Sequence, residues 1–237
     1  GSSVGSGLVS LKQELALPYD VARVECYDIS HTFGAQTVAS CVVFDRGGPQ
    51  KKSYRRFNIE GITAGDDYAA MKQVLRRRYA HLKKANMVLP DLCVIDGGLG
   101  QMKQAVAVFE ELQISGVMIL AVAKGASRKP GREKLMVHGA EKVIQLPLGS
   151  PAMNIIQTVR DEAHRFAISG HRAQRKKALV RSVLEGIPGI GGERRRALLK
   201  YFGGRQGLLN ASLDQLKQVP GLGAKLAQLV YDYIHKS

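Results

Sequence analysis

Two nearly identical turns, Pro188-Gly189-Ile190-Gly191 and Pro220-Gly221-Leu222-Gly223, stand 32 residues apart near the end of this chain. Each follows a short helical segment and opens an amphipathic one, as IPGIGGERRRALLKY from Ile187 and VPGLGAKLAQLVYDY from Val219. The pair reads as an internal duplication of a helix-hairpin-helix unit, which constrains residues 182–237 to a small all-α tandem. Glycine permits turn conformations barred to other residues, and the helix start beyond each turn aims free backbone N–H groups outward. Such turns bind DNA phosphates without reading sequence. Gly189, Ile190, Gly191, Arg194 and Arg195 are the expected contacts of the first hairpin, and Gly221, Leu222, Gly223 and Lys225 those of the second. Ala197 and Ala227 read as matching helix positions, which argues against ordinary helix-turn packing as the whole explanation. No aromatic side chains interleave the basic ones, so contact across a duplex minor groove or at a junction of duplex and single strand fits better than base stacking.

The charge agrees. Among 237 residues, 35 Lys and Arg oppose 20 Asp and Glu, a formal +15 that implies an anionic polymer or surface as partner. From Arg160 onward there are 15 basic and 6 acidic residues, so the last third carries +9 of that excess. A hydrophobic share of 45% can bury a sizeable core and excludes general disorder. No apolar run approaches the roughly 20 residues needed to span a bilayer, and no basic-then-apolar leader opens the chain. Cys26, Cys41 and Cys93 each lie in an apolar segment without C-x-x-C spacing. They predict buried structural thiols in a reducing cytoplasm, with neither a disulfide framework nor a zinc site. The small, polar run 1–7 reads as a frayed or vector-derived end. Ser169 to Arg181, SGHRAQRKKALVR, opens with a helix-stopping Gly and reads as a link or a helix end. The expected organisation is an α/β domain over 8–170, a basic linker over 171–181 and the helical tandem from 182.

Val21 to Ile29, Thr37 to Phe44 and Ser53 to Ile59 are short, rich in β-branched and aromatic residues, and separated by turn clusters such as Arg46-Gly47-Gly48-Pro49. They predict an antiparallel meander. Amphipathic spacing predicts helices over Asp67 to Leu82 and Gln101 to Leu112, and apolar runs predict strands over Leu92 to Ile95 and Val117 to Ala123. Lys134 to Val137 with Val143 to Leu146 reads as a hairpin, and Pro151 to Ile168 as a helix with Pro in its first turn and Ser150 as its cap. The fold class is α/β: a mixed five-stranded sheet flanked by helices, whose ligands belong beyond the carboxyl ends of its strands.

Two carboxylates stand near such ends, Asp28 in CYDISH and Asp96 in VIDGG. Either alone is commonly a turn or helix cap. As neighbours they can share one divalent cation, and oxygen ligands select Mg²⁺ or Mn²⁺. A third group would come from a packed helix, where His164 in RDEAHR lies seven residues before His171 and projects from nearly the same face. The competing plain reading of a lone helical histidine is a surface or capping residue. Asp96-Gly97-Gly98-Leu99-Gly100 follows a strand and opens a helix, but it fits neither G-x-G-x-x-G nor G-x-x-x-x-G-K-[ST], which disfavours nucleotide binding. Lys124 and the Lys51 to Arg56 cluster are phosphate-contact candidates, with a solvated surface role as the alternative.

The strings ECYDISHTFGAQTVASCVVFDRGGPQKKSYRRFNIEGITAGDDYAAM, VIDGGLGQ, VAKGASRKPG and VRDEAHRFAISGHR resemble the C-terminal half of the UvrC family, the bacterial excision-repair nuclease subunits. The likeness runs from Leu8 to Lys236. It implies an RNase H-like endonuclease domain followed by tandem helix-hairpin-helix motifs, making the 5′ incision beside a lesion in nucleotide excision repair. The family's Asp-Asp-His triad falls on Asp28, Asp96 and His164. A further family acid falls on Asp67, which otherwise reads as a helix N-terminal acid favoured by the dipole. The resemblance implies Mg²⁺ or Mn²⁺ held by Asp28 and Asp96, with His164 completing the coordination or moving a proton. It also implies damaged double-stranded DNA and UvrB as partners, with UvrA acting indirectly, and no membrane or further small-molecule cofactor. A non-catalytic DNA-binding module is the alternative, against which the presence of all three triad residues speaks. The family's GIY-YIG-type nuclease and UvrB-docking segment are not found among these residues, which suggests a fragment carrying one active site of two.

Overall fold

The computed structural model describes residues 3–31, 36–127, 129, 131–140 and 142–235; side chains at 171, 173–176 and 178–183 lie outside the description, and His171 with them. The chain divides into two units, Gly1–Ile168 and Ser169–Ser237.

The first unit is built on β1 (Arg23–His31), β2 (Thr37–Asp45), β3 (Gly48–Pro49), β4 (Arg55–Ile59), β5 (Leu92–Asp96), β6 (Met118–Ala123), β7 (Lys134–Val137) and β8 (Val143–Ile144). β1, β2 and β4 form the expected antiparallel meander, with Arg23 opposite Asp45 and Thr37 opposite Ile59. β1 then pairs in parallel with β5, from Val24 opposite Leu92 to Tyr27 opposite Ile95, and β5 pairs in parallel with β6. β5 and β6 are almost wholly apolar because both their faces are covered. The sheet order is β3-β2-β1-β5-β6-β7-β8, with β4 also on β2. Eight strands therefore replace the five expected. Of the three additions, β7 and β8 are the expected hairpin, which joins the sheet through β6, and only β3, two residues long, is too brief to show a period-2 pattern.

Four helices accompany the sheet: α1 (Ser3–Glu14), α2 (Asp67–Lys84), α3 (Leu99–Glu111) and α4 (Pro151–Glu185). α2 begins where Asp66 accepts a hydrogen bond from Ala69 N at 3.0 Å, and α4 where Ser150 Oγ accepts from Met153 N at 3.0 Å. Tyr79 of α2 meets Phe109 of α3 edge-on at 4.7 Å. The run 1–7 is no frayed end from Ser3 onward. Gly7 is buried, a Cβ there would stand 2.9 Å from Ile155 Cβ, and Glu14 Oε2 accepts from Ala152 N at 3.0 Å. The missing side chain at Gly7 lets α1 close on α4, so from Ser3 onward the run is packed helix and not a frayed end. Nor does α4 stop at Gly170: residues 171–181 are helical. A glycine costs a helix about 1 kcal/mol, and the Ala, Gln, Arg, Lys and Leu that follow are strong helix formers. Among the described residues no helix is long and apolar enough to cross a membrane.

A buried ion pair lies inside this unit. Arg78 Nη2 donates to Glu25 Oε1 at 2.8 Å, and Tyr27 and Tyr79 donate to Glu25 Oε2 at 2.7 and 3.4 Å. Cys26, Cys41 and Cys93 are free and buried, and burial pushes all three thiols up.

The second unit contains α5 (Gly192–Tyr201), α6 (Arg205–Leu209), α7 (Leu213–Lys217) and α8 (Ala224–Ile234). Its two turns superpose by hydrogen bonding: Ile190 N donates to Ile187 O, and Leu222 N to Val219 O. Gly189 (φ +87°) and Gly221 (φ +80°) occupy the left-handed region that glycine tolerates. Ile187 and Val219, Ile190 and Leu222, and Leu198 and Val230 are buried pairs at the same offset. The expected match of Ala197 with Ala227 is thus corrected: Ala197 is exposed, and the 32-residue shift aligns Ala227 with Arg195.

Candidate active site

Because Tyr27 stands opposite Ile95 on parallel strands, Asp28 and Asp96 are the next pair along, side by side where β5 ends. The Asp28 side chain is only 14% exposed, and its buried Oδ2 has no hydrogen-bond partner among the described residues. Burial pushes the Asp28 carboxyl up to about 6; His164 pulls against this, while the charges of Asp96 and Asp67 add to it.

α4 supplies the opposite wall. Gln157, Arg160 and His164 follow the three- and four-residue spacing of one helical stripe. His164 Nδ1 lies 3.8 Å from Asp28 Oδ1, with the imidazole 70% exposed. Arg160 Nη2 donates to Asp96 Oδ1 at 3.0 Å, and its Nη1 lies 3.4 Å from Glu133 Oε1. Gln157 Nε2 also donates to Glu133 Oε1, at 2.7 Å. Two residues past His164, Phe166 meets Tyr54 edge-on at 5.1 Å, and the Arg56 guanidinium stacks 3.7 Å above its ring. Arg56 also donates to Phe166 O at 2.9 Å, which fastens the His164 turn to the strand region.

Asp67 opens α2 and borders the same space. His31 Nε2 lies 2.9 Å from Asp67 Oδ1, and His31 Nδ1 lies 3.1 Å from Thr37 Oγ1. One cavity of about 400 Å³ is lined in part by Asp28, Asp67, Asp96 and Lys124, and another of about 510 Å³ by Asp96, Lys124, Glu133, Arg160 and His164. Asp96 and Lys124 line both. The glycines after Asp96 serve packing: Gly97 has φ +152°, and a Cβ on Gly100 would collide with the Tyr68 hydroxyl.

Among the described residues no three His, Cys, Asp or Glu side chains converge as a ready-made metal cluster. The donor chemistry nonetheless suits a hard cation. Asp28 offers a desolvated oxygen that nothing satisfies, and Arg160 engages only one oxygen of Asp96.

Other expected residues are placed differently. Arg55 Nη1 donates to Lys52 O and Tyr54 O at 2.8 and 2.7 Å, so Arg55 and Arg56 serve the fold. In the first hairpin Arg194 Nη1 donates to Gly189 O at 2.6 Å, and Arg195 Nη1 to Glu185 Oε1 at 2.9 Å. Lys225 of the second is exposed. The caps Gly191 and Gly223 leave the first turns of α5 and α8 without side-chain partners at the cap. Glu133 and Gln157 were not anticipated. Gln157 falls seven residues before His164, a spacing that could have found it; Glu133 lies in a loop and carried no local signal.

The meander, the parallel β1–β5 pair with its adjacent acids and the helix-borne histidine define an RNase H-like nuclease fold, followed by a tandem helix-hairpin-helix module. The profile of the UvrC RNase H endonuclease domain matches residues 12–168, and that of the SAM-like helix-hairpin-helix tandem matches residues 182–236. The chain is 55% identical over 229 residues to the UvrABC system protein C of Coxiella burnetii (strain CbuK_Q154), covering 97% of this chain. It is 54% identical over 231 residues to that of Alkalilimnicola ehrlichii, covering 96%. The chain belongs to the UvrC family, and it spans 38% of the length of these relatives.

Proposed function

We propose that this chain is the 5′-incising part of a UvrABC nuclease subunit, a divalent-metal-dependent endodeoxyribonuclease acting in the cytoplasm in nucleotide excision repair. Residues 8–170 cut and 182–237 anchor. The observation that carries the reading is the adjacency of Asp28 and Asp96 on parallel strands with His164 Nδ1 3.8 Å from Asp28 Oδ1.

Asp28 Oδ2 and Asp96 would hold Mg²⁺ or Mn²⁺, whose preference is for oxygen donors. Bound there, such a cation supplies Lewis acidity toward a phosphoryl oxygen and toward an attacking water. His164, exposed on α4, takes up a proton from that water, and the Asp28 carboxylate beside it steadies the imidazolium. Lys124, which lines both cavities, offers its ammonium to the phosphate. Asp67, oriented by His31, adds negative charge to the cavity that it lines with Asp28 and Asp96. The two hairpins hold the duplex through its phosphates, independently of sequence. Damage recognition comes with UvrB, loaded through UvrA, which delivers damaged double-stranded DNA to this centre.

Supercoiled plasmid incubated with the chain tests the reading. Nicking should appear with Mg²⁺ or Mn²⁺, stop with chelator and return when metal is restored. Nicking that persists in chelator would rule the metal out.

A further inference from the structure

We propose that the first turn of α3 seats a phosphodiester of the DNA strand being cut, held by the backbone N–H groups of Leu99, Gly100 and Gln101, the Gln101 amide and the Lys124 ammonium. The proposal rests on the nuclease reading above and concerns how the strand is held.

Two features of this turn lower the stability of the unliganded protein, and the fold has no use for either. The first is Gly98, the cap of α3. Its backbone (φ −89°, ψ −158°) is one that any residue adopts, and a Cβ there would meet nothing nearer than Ala123 Cβ at 4.0 Å. Neither conformation nor packing calls for glycine, unlike at Gly97 and Gly100. A serine would cap the helix better, because its hydroxyl accepts from the first-turn N–H groups. As it stands, the first intrahelical bond runs from Met102 N to Gly98 O at 3.1 Å. The N–H groups of Leu99, Gly100 and Gln101 have no partner within the helix, and the cap has no side chain to accept from them.

The second feature is Gln101. It is only 8% exposed, and its buried Oε1 has no hydrogen-bond partner among the described residues. Its stem is pressed against Gly97, where a Cβ would stand 2.7 Å from Gln101 Cγ. The residue lines the cavity of about 400 Å³ together with Asp28, Asp67, Asp96 and Lys124. A buried amide left unbonded is destabilising, so its place at this wall points to a ligand that completes it. A half-turn about its last torsion presents the NH₂ in place of the oxygen, which suits an anionic partner.

The chemistry of the turn selects that ligand. Unbonded N–H groups carry roughly half a positive charge at a helix N-terminus, and Lys124 adds a full one across the same cavity. The bare glycine lets an oxygen approach the N–H groups directly. α3 begins three residues beyond Asp96, so a strand phosphate seated on its first turn brings the adjoining stretch of backbone to the edge where Asp28 and Asp96 stand.

The test compares the chain with Gly98→Ser, which caps the helix and intercepts its N–H groups, and with Gln101→Leu, which removes the unbonded amide at similar volume. Metal-dependent nicking is measured at saturating plasmid, so that capture by the hairpins does not limit it, alongside Tm and Mn²⁺ affinity. Both variants should have Tm at or above the parental value and nick at least about tenfold more slowly. Their Mn²⁺ affinity should stay within about threefold, whereas loss of a group that supports the metal ligands costs tenfold or more. A parental nicking rate in either variant, a fall in Tm in either, or Mn²⁺ affinity lost in step with nicking would overturn the proposal. An unsubstituted chain that does not nick with metal would instead overturn the nuclease reading, and the phosphate seat with it.

Discussion

His164 on α4 and Asp28 on β1 meet with Nδ1 3.8 Å from Oδ1, while the second Asp28 oxygen is buried without a hydrogen-bond partner among the described residues. A strand and a helix distant in sequence therefore hold one carboxylate between an imidazole and an unmet demand for positive charge. Asp96, beside it, is already tied on one oxygen to Arg160.

The unmet demand has a thermodynamic signature. The Asp28 carboxyl sits at about 6 in the folded chain against an ordinary 3.8. Between those values the folded state binds more protons than the unfolded one. Metal-free stability contributed by this group is thus present at low pH and is lost as pH rises through about 6, by on the order of 1 kcal/mol. Asp28→Asn should flatten that part of the profile and raise Tm at neutral pH while abolishing nicking. Thermal unfolding of both proteins in chelator at acidic and neutral pH checks this.

The buried Glu25–Arg78 pair is predicted to matter for stability alone. Arg78→Met leaves Glu25 desolvated with only the Tyr27 and Tyr79 hydroxyls, which should cost roughly 3 kcal/mol. Adding Glu25→Gln should recover part of it. Urea denaturation gives both numbers, and Mn²⁺ binding by the folded variants should be unchanged.

Phe166 should act through His164. Its ring is held by Tyr54 and Arg56, so Phe166→Ala loosens the turn of α4 that presents the imidazole. Nicking should fall by about tenfold or more with DNA affinity preserved, as small misplacements of reacting groups do. Equal loss of cutting and binding would count against this role.

The hairpins should separate by salt dependence. Lys225 is exposed, so Lys225→Ala should lower the slope of log affinity against log salt by about one. Arg195 pairs with Glu185, and Arg195→Ala should lower it by less. Gly221→Ala meets no atom within 4 Å but must take φ +80°, a strain of roughly 1 kcal/mol that should weaken binding at every salt concentration. Fluorescence anisotropy across a salt series reads all three.

Asp28 and Asp96 stood out because an acid follows an apolar run in each strand, at the end of β5 and three residues before the end of β1, yet their adjacency depends on β1 pairing with β5, a long-range choice that no local pattern records. Arg160 was in view within RDEAHR, but its partner Glu133 is placed by β7 pairing with β6 and had no sequence signal. Gly170 looked like a stop, and strong helix formers beyond it carried α4 to Glu185. In the tandem, the repeated glycines announced the turns, whereas the burial of Leu198 instead of Ala197 follows from the 32-residue register of Leu198 with Val230.

The most direct measurement pairs cutting with binding: metal-dependent nicking and DNA affinity for the chain and for Asp28→Ala, Asp96→Ala and His164→Ala. Near-parental affinity with nicking lost in all three variants is the predicted result. Nicking by any of the three at the parental rate would contradict the assignment of that side chain to the incision centre.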